Sequence, residues 1–305
     1  MAPAVITFRF DPLAHLGDWT VRWETLAIGV AILVALVAAG LLAGRARLPV
    51  GDDDPPGTID HLRRDDILFI ALGVAPGAVV GGRIAYVALH LDYYSSNVVA
   101  IVDPTSGALS LSGAVLLGAL TGGLVARLFD APVGRWYALA VVPMLLVLGL
   151  GKAANVLGGS GQGVPSVLDW ATRYLGPGPW GSLGPDIPSI PAQAVEAIGV
   201  AIVLVVMVAI LRYVRRAGWE DGRGFALALG GWAIVRFVVA SSWRDPVVLG
   251  PLKAEQLFDL GIVAIAALVL VWLVVRSRRT PRVVAPVAPP PPELNWPDPE
   301  TRRRF

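Results

Sequence analysis

Seven long apolar segments constrain this chain more than any other feature of its sequence. Each approaches the roughly 20 residues that a helix needs to cross about 30 Å of hydrocarbon. The composition agrees with this, because 55% of the residues are hydrophobic and only 16% are charged. The predicted helices are 25–44, 67–91, 109–126, 136–157, 192–211, 225–243 and 258–275. We therefore predict an all-α, polytopic membrane helix bundle with about seven transmembrane helices.

The basic residues lie mostly on one side of these segments. If successive connections alternate between the two sides of a membrane, one side carries 17 lysine and arginine residues and the other carries 5. Cytoplasmic loops of membrane proteins hold the excess of positive charge. We therefore predict that the N-terminus lies outside and the C-terminus inside. The loops at about 92–107, 160–190 and 244–256 would then face the exterior.

The composition also argues against several kinds of site. The chain has no cysteine and only three histidines, so disulfides, thiolate nucleophiles, iron–sulfur clusters and histidine-rich metal sites are not expected. We predict no metal and no cofactor. The formal net charge of +2 is too small for a nucleic-acid-binding surface, and we expect no nucleic acid as a partner.

The last segment of the chain differs from the rest in composition. Residues 283–305 contain a run of four prolines and three arginines immediately before Phe305. Such a segment cannot bury a hydrophobic core. We predict a membrane domain over residues 1–282 and a disordered, Pro/Arg-rich cytoplasmic tail over residues 283–305.

Three cations interrupt the predicted transmembrane helices: Arg83, Lys152 and Arg236. A cation at the centre of a membrane costs about 2.5–3.5 kcal/mol, so each needs a partner or a function. One explanation is that each extends to the interface or pairs with a carboxylate. However, Glu196 is the only acidic residue well inside a predicted helix, which would leave two cations unpaired. We therefore predict that the cations converge on an anionic ligand, of which a phospholipid phosphate has the best access.

Glycines recur at the spacing that lets membrane helices approach closely. They are Gly73, Gly77 and Gly81 in the second predicted helix, and Gly118 and Gly122 in the third. Small residues four apart form one face on which two backbones can pack. We predict a helix-packing role for these glycines and no chemistry.

Lys152 and Asn155 are three residues apart and therefore share one face of the fourth predicted helix. Four glycines follow them within residues 158–163, which is typical of a helix end and a turn. This pattern indicates a polar helix face that ends at an outer loop.

Several short segments follow one another in the order of a known family. They are residues 21–23 and 81–86, residues 91–94 with Asn97, Pro191 with Gln193 and Glu196, Arg236 and Phe237 with Arg244, and Gln256 with Leu257. In this order they resemble the prolipoprotein diacylglyceryl transferase family over about residues 11–275. The seven spans of that family, with the N-terminus outside, agree with the prediction above.

The departures from the family pattern fall on its signature. The family sequence Gly-Arg-x-Gly-Asn-Phe-hydrophobic-Asn-x-Glu-x-x-Gly corresponds to residues 151–163, where only Gly151, Asn155, Leu157 and Gly163 conform. Lys152 replaces the arginine and Ser160 replaces the glutamate. The family's His-Gly pair in the third helix corresponds to Ser112 and Gly113, and a glutamate four residues after Arg236 corresponds to Ala240.

The resemblance implies transfer of the diacylglyceryl group from phosphatidylglycerol to the lipobox cysteine thiol of a prolipoprotein, at the outer face of the cytoplasmic (inner) membrane. The implied partners are phosphatidylglycerol, prolipoprotein signal peptides and membrane lipid. The implied catalytic residues are Arg236 and Lys152 at the phosphate and Asn155 at a headgroup oxygen. The implied substrate-binding residues also include Arg83, Glu196, Ser112 and Gly113. Ser112 has no proton that titrates near neutral pH, so His90 is the candidate base.

Two other functions stay open at this point. Ser112, Ser160 and Ala240 favour a non-catalytic phospholipid-binding homologue of the same fold. A small-solute transporter would show paired broken helices in corresponding halves of the chain, and the sequence has no such symmetry. The enzyme is the leading hypothesis.

Overall fold

The computed structural model describes residues 5–46, 62–103, 109–214 and 221–279. Over these ranges the chain forms eight α-helices, of which seven are long and apolar enough to cross a membrane. The helices are α1 (Trp23–Ala43), α2 (Asp66–Leu89), α3 (Leu91–Ser96), α4 (Leu111–Leu128), α5 (Val133–Gly158), α6 (Ala192–Val214), α7 (Arg223–Ala240) and α8 (Ala254–Arg279). The prediction of a polytopic helical membrane protein is confirmed. The predicted tail at 283–305 lies outside the described residues.

Six short strands lie in the connections between the helices. They are β1 (Ile6–Phe8), β2 (Leu13–Leu16), β3 (Trp19–Arg22), β4 (Thr172–Tyr174), β5 (Val247–Leu249) and β6 (Leu252–Lys253). Strands β2–β3 and β5–β6 are antiparallel hairpins, whereas β1 pairs with β4 in parallel, with Ile6 opposite Thr172. The β1–β4 pair ties the N-terminal segment to the connection between α5 and α6. These two segments therefore lie on one side of the bundle, as the predicted topology requires, although the direction of the bundle in a membrane stays a prediction.

α7 ends earlier, and α8 begins earlier, than the sequence predicts. α7 ends at Ala240, where the hydroxyls of Ser241 and Ser242 each donate to a carbonyl of the last turn at 2.7 Å. α8 begins at Ala254 rather than at residue 258, directly after the β5–β6 hairpin. The side-chain oxygen of Gln256 accepts the backbone N–H of Lys253 at 3.0 Å and so caps the first turn of α8.

The largest hydrophobic core lies between α5, α6, α7 and α8. Its most buried members are Val141, Leu145, Leu148, Val200, Met207, Ala228, Leu229, Trp232, Ala233 and Ile262. Residues four apart on a helix share one face. Leu148 and Trp232 therefore direct Lys152 and Arg236, one turn further along, toward the same interior. The apolar packing of these helices thus places the charged side chains of Lys152 and Arg236 inside the bundle, one turn beyond the hydrophobic core.

Helices α2 and α4 pack through glycines, as the sequence predicts. A Cβ atom built at Gly81 would lie 2.5 Å from the backbone oxygen of Gly113, and one at Gly77 would overlap the hydroxyl of Thr121. Only residues without a side chain allow this separation of the two backbones. The close packing fixes Arg83 on α2 and Ser112 on α4 relative to each other.

Candidate active site

Six polar side chains from five helices meet beside the hydrophobic core, and we call them the charged cluster. They are Ser112 from α4, Lys152 from α5, Glu196 from α6, Arg236 from α7, and Glu255 and Asp259 from α8. Ser112, Glu196 and Asp259 are fully buried, and Arg236 is 2% exposed. Charges buried this deeply in a helix bundle are stable only when they are paired and hydrogen-bonded.

Arg236 is the centre of the charged cluster. Its Nη1 donates to Oε1 of Glu196 at 3.2 Å, and its Nη2 donates to Oε2 of Glu255 at 3.3 Å. Its Nε lies 3.0 Å from Oγ of Ser112 and 3.4 Å from Oδ1 of Asp259. The three nitrogens of the guanidinium therefore face three different carboxylates.

Glu196 joins the two cations of the charged cluster. One carboxylate oxygen accepts from Arg236, and the other lies 2.9 Å from Nζ of Lys152. The side chain of Lys152 is 15% exposed and that of Glu255 is 17% exposed. The charged cluster therefore reaches the protein surface at Lys152 and Glu255.

Two tryptophans cover the cations. The ring centroid of Trp243 lies 4.8 Å from Cζ of Arg236 and 5.6 Å from Nζ of Lys152. The ring of Trp232 lies 5.4 Å from the same guanidinium carbon. An aromatic face attracts a cation at these distances, so both rings add to the stabilisation of the buried positive charge.

The prediction that two of the three membrane cations lack a protein partner is wrong. Lys152 and Arg236 do converge, but on carboxylates of this chain. Two further carboxylates are available: α8 begins at Ala254, which adds Glu255 to its first turn, and Asp259 at the edge of the predicted helix lies inside the bundle. Glu196 is therefore not the only carboxylate available inside the helices.

Arg83 is bound at a different place. Its Nε donates to the carbonyl of Ile101 at 2.8 Å, and its Nη2 donates to the carbonyl of Ala100. Its guanidinium carbon also lies 5.3 Å from the ring centroid of Tyr94. These contacts give Arg83 protein partners in the segment after α3, so no anionic ligand is needed to explain its position.

Asn155 belongs to a second polar group, formed around Glu24 at the start of α1. With its amide nitrogen facing the neighbouring acceptors, Asn155 donates to Oε1 of Glu24 at 3.3 Å and to the carbonyl of Gly151 at 3.0 Å. Ser160 donates to the other oxygen of Glu24 at 2.9 Å, and Arg22 lies 3.2 Å from that oxygen. We call Arg22, Glu24, Asn155 and Ser160 the Glu24 group. It holds the first turn of α1 against the last turn of α5.

The other predicted site residues lie in three different environments. Ser112 donates to Oδ1 of Asp259 at 2.5 Å and is thus part of the charged cluster. Gly113 is buried, and its position lies against the backbone of Gly81. His90 is exposed at the end of α2, where its Nδ1 lies 2.8 Å from the carbonyl of Tyr86. The contacts seen among the described residues do not bring His90 to the charged cluster.

Tyr174 on β4 packs beside the Glu24 group. Its ring stacks on Phe8 at 5.1 Å and contacts Trp180 at 4.9 Å, and its hydroxyl accepts from Nε2 of Gln193 at 3.1 Å. Burial raises the pKa of Tyr174 to about 12. Its phenol therefore stays protonated at neutral pH and serves as a structural support.

Several residues of these groups were not identified from the sequence. Glu24, Glu255 and Trp243 lie at helix ends or in connections, where charged and aromatic residues are common and carry little signal. Asp259 could have been identified from the sequence as a candidate partner of a buried cation, because it is an acidic residue at the start of an apolar segment. Within the described residues, no three His, Asp or Glu side chains are arranged to hold a metal ion.

The charged cluster can perform two chemical tasks. The ammonium of Lys152 is partly exposed and can attract an anion at the edge of the bundle. The three carboxylates outnumber the two cations, so the cluster can also take up a proton without gaining a net positive charge. A reaction that transfers a proton from a nucleophile and places negative charge on a phosphate needs both.

Comparison with known proteins agrees with this architecture. The family model for prolipoprotein diacylglyceryl transferase matches residues 12–272. A phosphatidylglycerol–prolipoprotein diacylglyceryl transferase of a Nostoc species is 26% identical over 278 residues, which are 89% of this chain and 92% of the relative. A protein of the same name from Bacillus cytotoxicus is 22% identical over 87% of this chain and 91% of its own length. Another, from Acaryochloris marina, is 25% identical over 91% and 96%. The charged cluster and the Glu24 group both lie within the matched region, and the chain belongs to the prolipoprotein diacylglyceryl transferase family.

Proposed function

We propose that this protein transfers the diacylglyceryl group from phosphatidylglycerol to the thiol of a prolipoprotein lipobox cysteine. The observation that carries this proposal is the family match over residues 12–272, shared with relatives of that name along about nine-tenths of both chains. The arrangement of charge supports it. A buried group of cations and carboxylates inside a multi-pass bundle gives a lipid-soluble substrate a polar site that lipid alone does not provide.

Lys152 makes the first contact with the lipid phosphate in this proposal. Arg236 is 2% exposed and directs its three nitrogens to carboxylates, whereas the side chain of Lys152 is 15% exposed. An ammonium has three N–H donors, and one contact with Glu196 leaves others for a phosphate oxygen. Arg236 then acts behind Lys152, where its positive charge stabilises the phosphate as negative charge develops on it.

Asn155 lies one turn beyond Lys152 on the same helix and orients an oxygen of the headgroup. Glu24 holds the amide of Asn155 in position, because its carboxylate accepts from the amide nitrogen. The remaining amide oxygen is an acceptor for a glycerol hydroxyl. Gly113 and Arg83 act at a distance from Asn155: Gly113 allows the close packing of α4 on α2, and Arg83 fixes the segment after α3.

The second substrate enters from the outer face of the cytoplasmic membrane. The predicted orientation places the connection between α5 and α6 outside, and Gly158, at the end of α5, lies at the start of this connection. A secreted precursor presents its signal peptide in the membrane and its cysteine at that face. The proposed partners are therefore phosphatidylglycerol and prolipoprotein signal peptides.

The test is a transfer assay with the purified full-length protein in phosphatidylglycerol vesicles. A synthetic lipobox peptide should gain the mass of one diacylglyceryl group, and a peptide with serine in place of the cysteine should not. Vesicles of phosphatidylcholine alone control for the headgroup. If the wild-type protein binds phosphatidylglycerol but modifies no peptide, it is a lipid-binding homologue and the proposed activity is wrong.

Variants of Lys152 connect the assay to the site. Lys152→Met is expected to lower kcat by about 10²–10³, the usual effect of removing one group that stabilises developing negative charge. Lys152→Arg keeps the charge and restores a planar donor, so it should keep most of the activity. The matched control is Arg212→Met, which removes an exposed cation from the last turn of α6 and should leave the rate unchanged.

A further inference from the structure

Two buried carboxylate oxygens of the charged cluster have no hydrogen-bond donor among the described residues, Oε2 of Glu196 and Oδ2 of Asp259, but the first lies 2.9 Å from the ammonium of Lys152. Oδ1 of Asp259 accepts from Ser112 at 2.5 Å and lies 3.4 Å from Nε of Arg236. Oδ2 of the same carboxylate is buried and has no hydrogen-bond donor among the described residues. A buried carboxylate oxygen without a donor is costly, because neither water nor protein compensates its lost hydration.

The charges around Asp259 allow it to accept a proton. The charged groups that face it are Arg236 from α7 and Glu255 from α8, with Glu196 and Lys152 behind them on α6 and α5. With all of these groups ionised, the cluster has one more negative than positive charge. Uptake of one proton makes the cluster neutral, which is the favoured state of a buried group.

We propose that Asp259 is the general base of the transfer reaction and takes the proton of the substrate thiol on Oδ2. This inference rests on the proposed function. Ser112 and Arg236 hold Oδ1 and so aim Oδ2, which is the arrangement expected of a positioned base. The thiol approaches from the edge where Lys152 and Glu255 are partly exposed.

The proposed step balances in atoms and electrons. The S–H bond breaks and its proton binds Oδ2 of Asp259. The thiolate sulfur forms a bond to the glyceryl carbon of the lipid, and the bond between that carbon and the phosphate oxygen breaks. The electron pair of the broken bond stays on the leaving glycerol phosphate, beside Lys152. No oxidant, metal or additional reactant takes part.

The pH profile of Asp259→Asn tests the proposal in the transfer assay. At pH 7, kcat should fall by about 10²–10⁴, the usual contribution of a general base. The remaining rate should rise about tenfold per pH unit until the thiol ionises in solution near its ordinary pKa of about 8.5. The matched control is Asp18→Asn, which removes an exposed carboxylate from the turn between β2 and β3 and should keep the wild-type pH profile. An Asp259→Asn variant with the wild-type pH profile overturns the proposal, whatever its absolute rate.

Ser112→Ala provides a second test that does not depend on the folding of Asp259→Asn. Loss of one donor to Oδ1 should lower kcat by about tenfold, the effect of one hydrogen bond, with little change in KM for phosphatidylglycerol. An unchanged kcat contradicts the assignment.

Infrared titration separates this inference from the proposed function, because it needs no turnover. On acidification, the wild-type protein should gain the carbonyl band of one protonated acid in its interior, and Asp259→Asn should lack that band. If the band persists in Asp259→Asn, Asp259 is not the proton acceptor, even where the wild-type enzyme transfers lipid. If the wild type transfers no lipid, the proposed function fails first and the band still reports on Asp259.

Discussion

Replacing Arg236 by methionine is expected to destabilise the protein strongly. The substitution removes contacts with three carboxylates and leaves Lys152 as the only cation of the charged cluster. Breaking a buried ion pair by removing one partner costs about 3–5 kcal/mol, because the other charge stays buried without compensation. Folded domains are stable by only about 5–15 kcal/mol, so this loss is a large part of the total.

The assay is thermal unfolding of the variant and the wild type in lipid nanodiscs. A loss of 1 kcal/mol lowers Tm by about 2–4 °C in large domains, so Arg236→Met should melt at least about 6 °C below the wild type. The matched control is Arg278→Met, which changes an exposed arginine near the end of α8 and should stay within about 0.5 kcal/mol of the wild type.

A double variant shows whether the loss comes from uncompensated charge. Adding Asp259→Asn to Arg236→Met removes one of the carboxylates that has lost its partner, so the double variant should be more stable than Arg236→Met alone. The reasoning is refuted if Arg236→Met melts with the wild type. It is also refuted if the double variant loses the sum of both single losses.

Three further predictions concern packing, the Glu24 group and pH. Gly81→Ala should disturb the packing of α2 on α4 and lower Tm in nanodiscs, because its Cβ would lie 2.5 Å from the backbone oxygen of Gly113. The control is Gly29→Ala on α1, whose Cβ would meet nothing within 4 Å and which should leave Tm unchanged. Glu24→Gln should lower kcat of peptide transfer more than it lowers lipid binding in a vesicle assay, since it removes the charge that holds Asn155; equal losses would contradict this role. The stability that the protonated phenol of Tyr174 contributes is present below its ordinary pKa of about 10 and is lost as the pH rises to about 12. Between pH 10 and about 12, the Tm of Tyr174→Phe should therefore fall less than the Tm of the wild type.

The membrane architecture could be predicted from the sequence because it depends on local properties. Each of the seven spans is a continuous apolar segment, and its length alone indicates a crossing helix. The packing of α2 on α4 was also visible, since glycines four residues apart mark a face that permits close approach. Lys152 and Arg236 could also be singled out from the sequence, because each is a charged residue within an apolar segment.

The partners of these cations could not be predicted, because they come from distant parts of the chain. Glu255 reaches Arg236 because α8 begins before its apolar segment does, and a hydropathy window does not detect the two polar residues Glu255 and Gln256 at the helix start. Asp259 lies at the edge of the predicted helix, and its contact with Arg236 depends on how α7 and α8 pack. Glu24 meets Ser160 across 136 positions of sequence. Two of the partners of Arg83 are backbone carbonyls, which every residue has and no sequence pattern marks.

The departures from the family signature lose much of their weight once the helices are assembled. At residue 160 the family pattern has a glutamate and this chain has a serine, yet the carboxylate of Glu24 lies 2.9 Å from that serine. Near Arg236 the pattern has a glutamate where this chain has Ala240, yet Glu255 binds the same guanidinium. In the first case a carboxylate from another helix lies beside the substituted residue, and in the second such a carboxylate binds the arginine one turn before the substituted residue. What a reacting phosphate and thiol encounter is the charge and its position, whichever helix carries it. Two of the three substitutions that favoured a non-catalytic homologue therefore have a carboxylate of another helix nearby, and we expect the carboxylate of Asp259 beside Ser112 to substitute for the family's histidine.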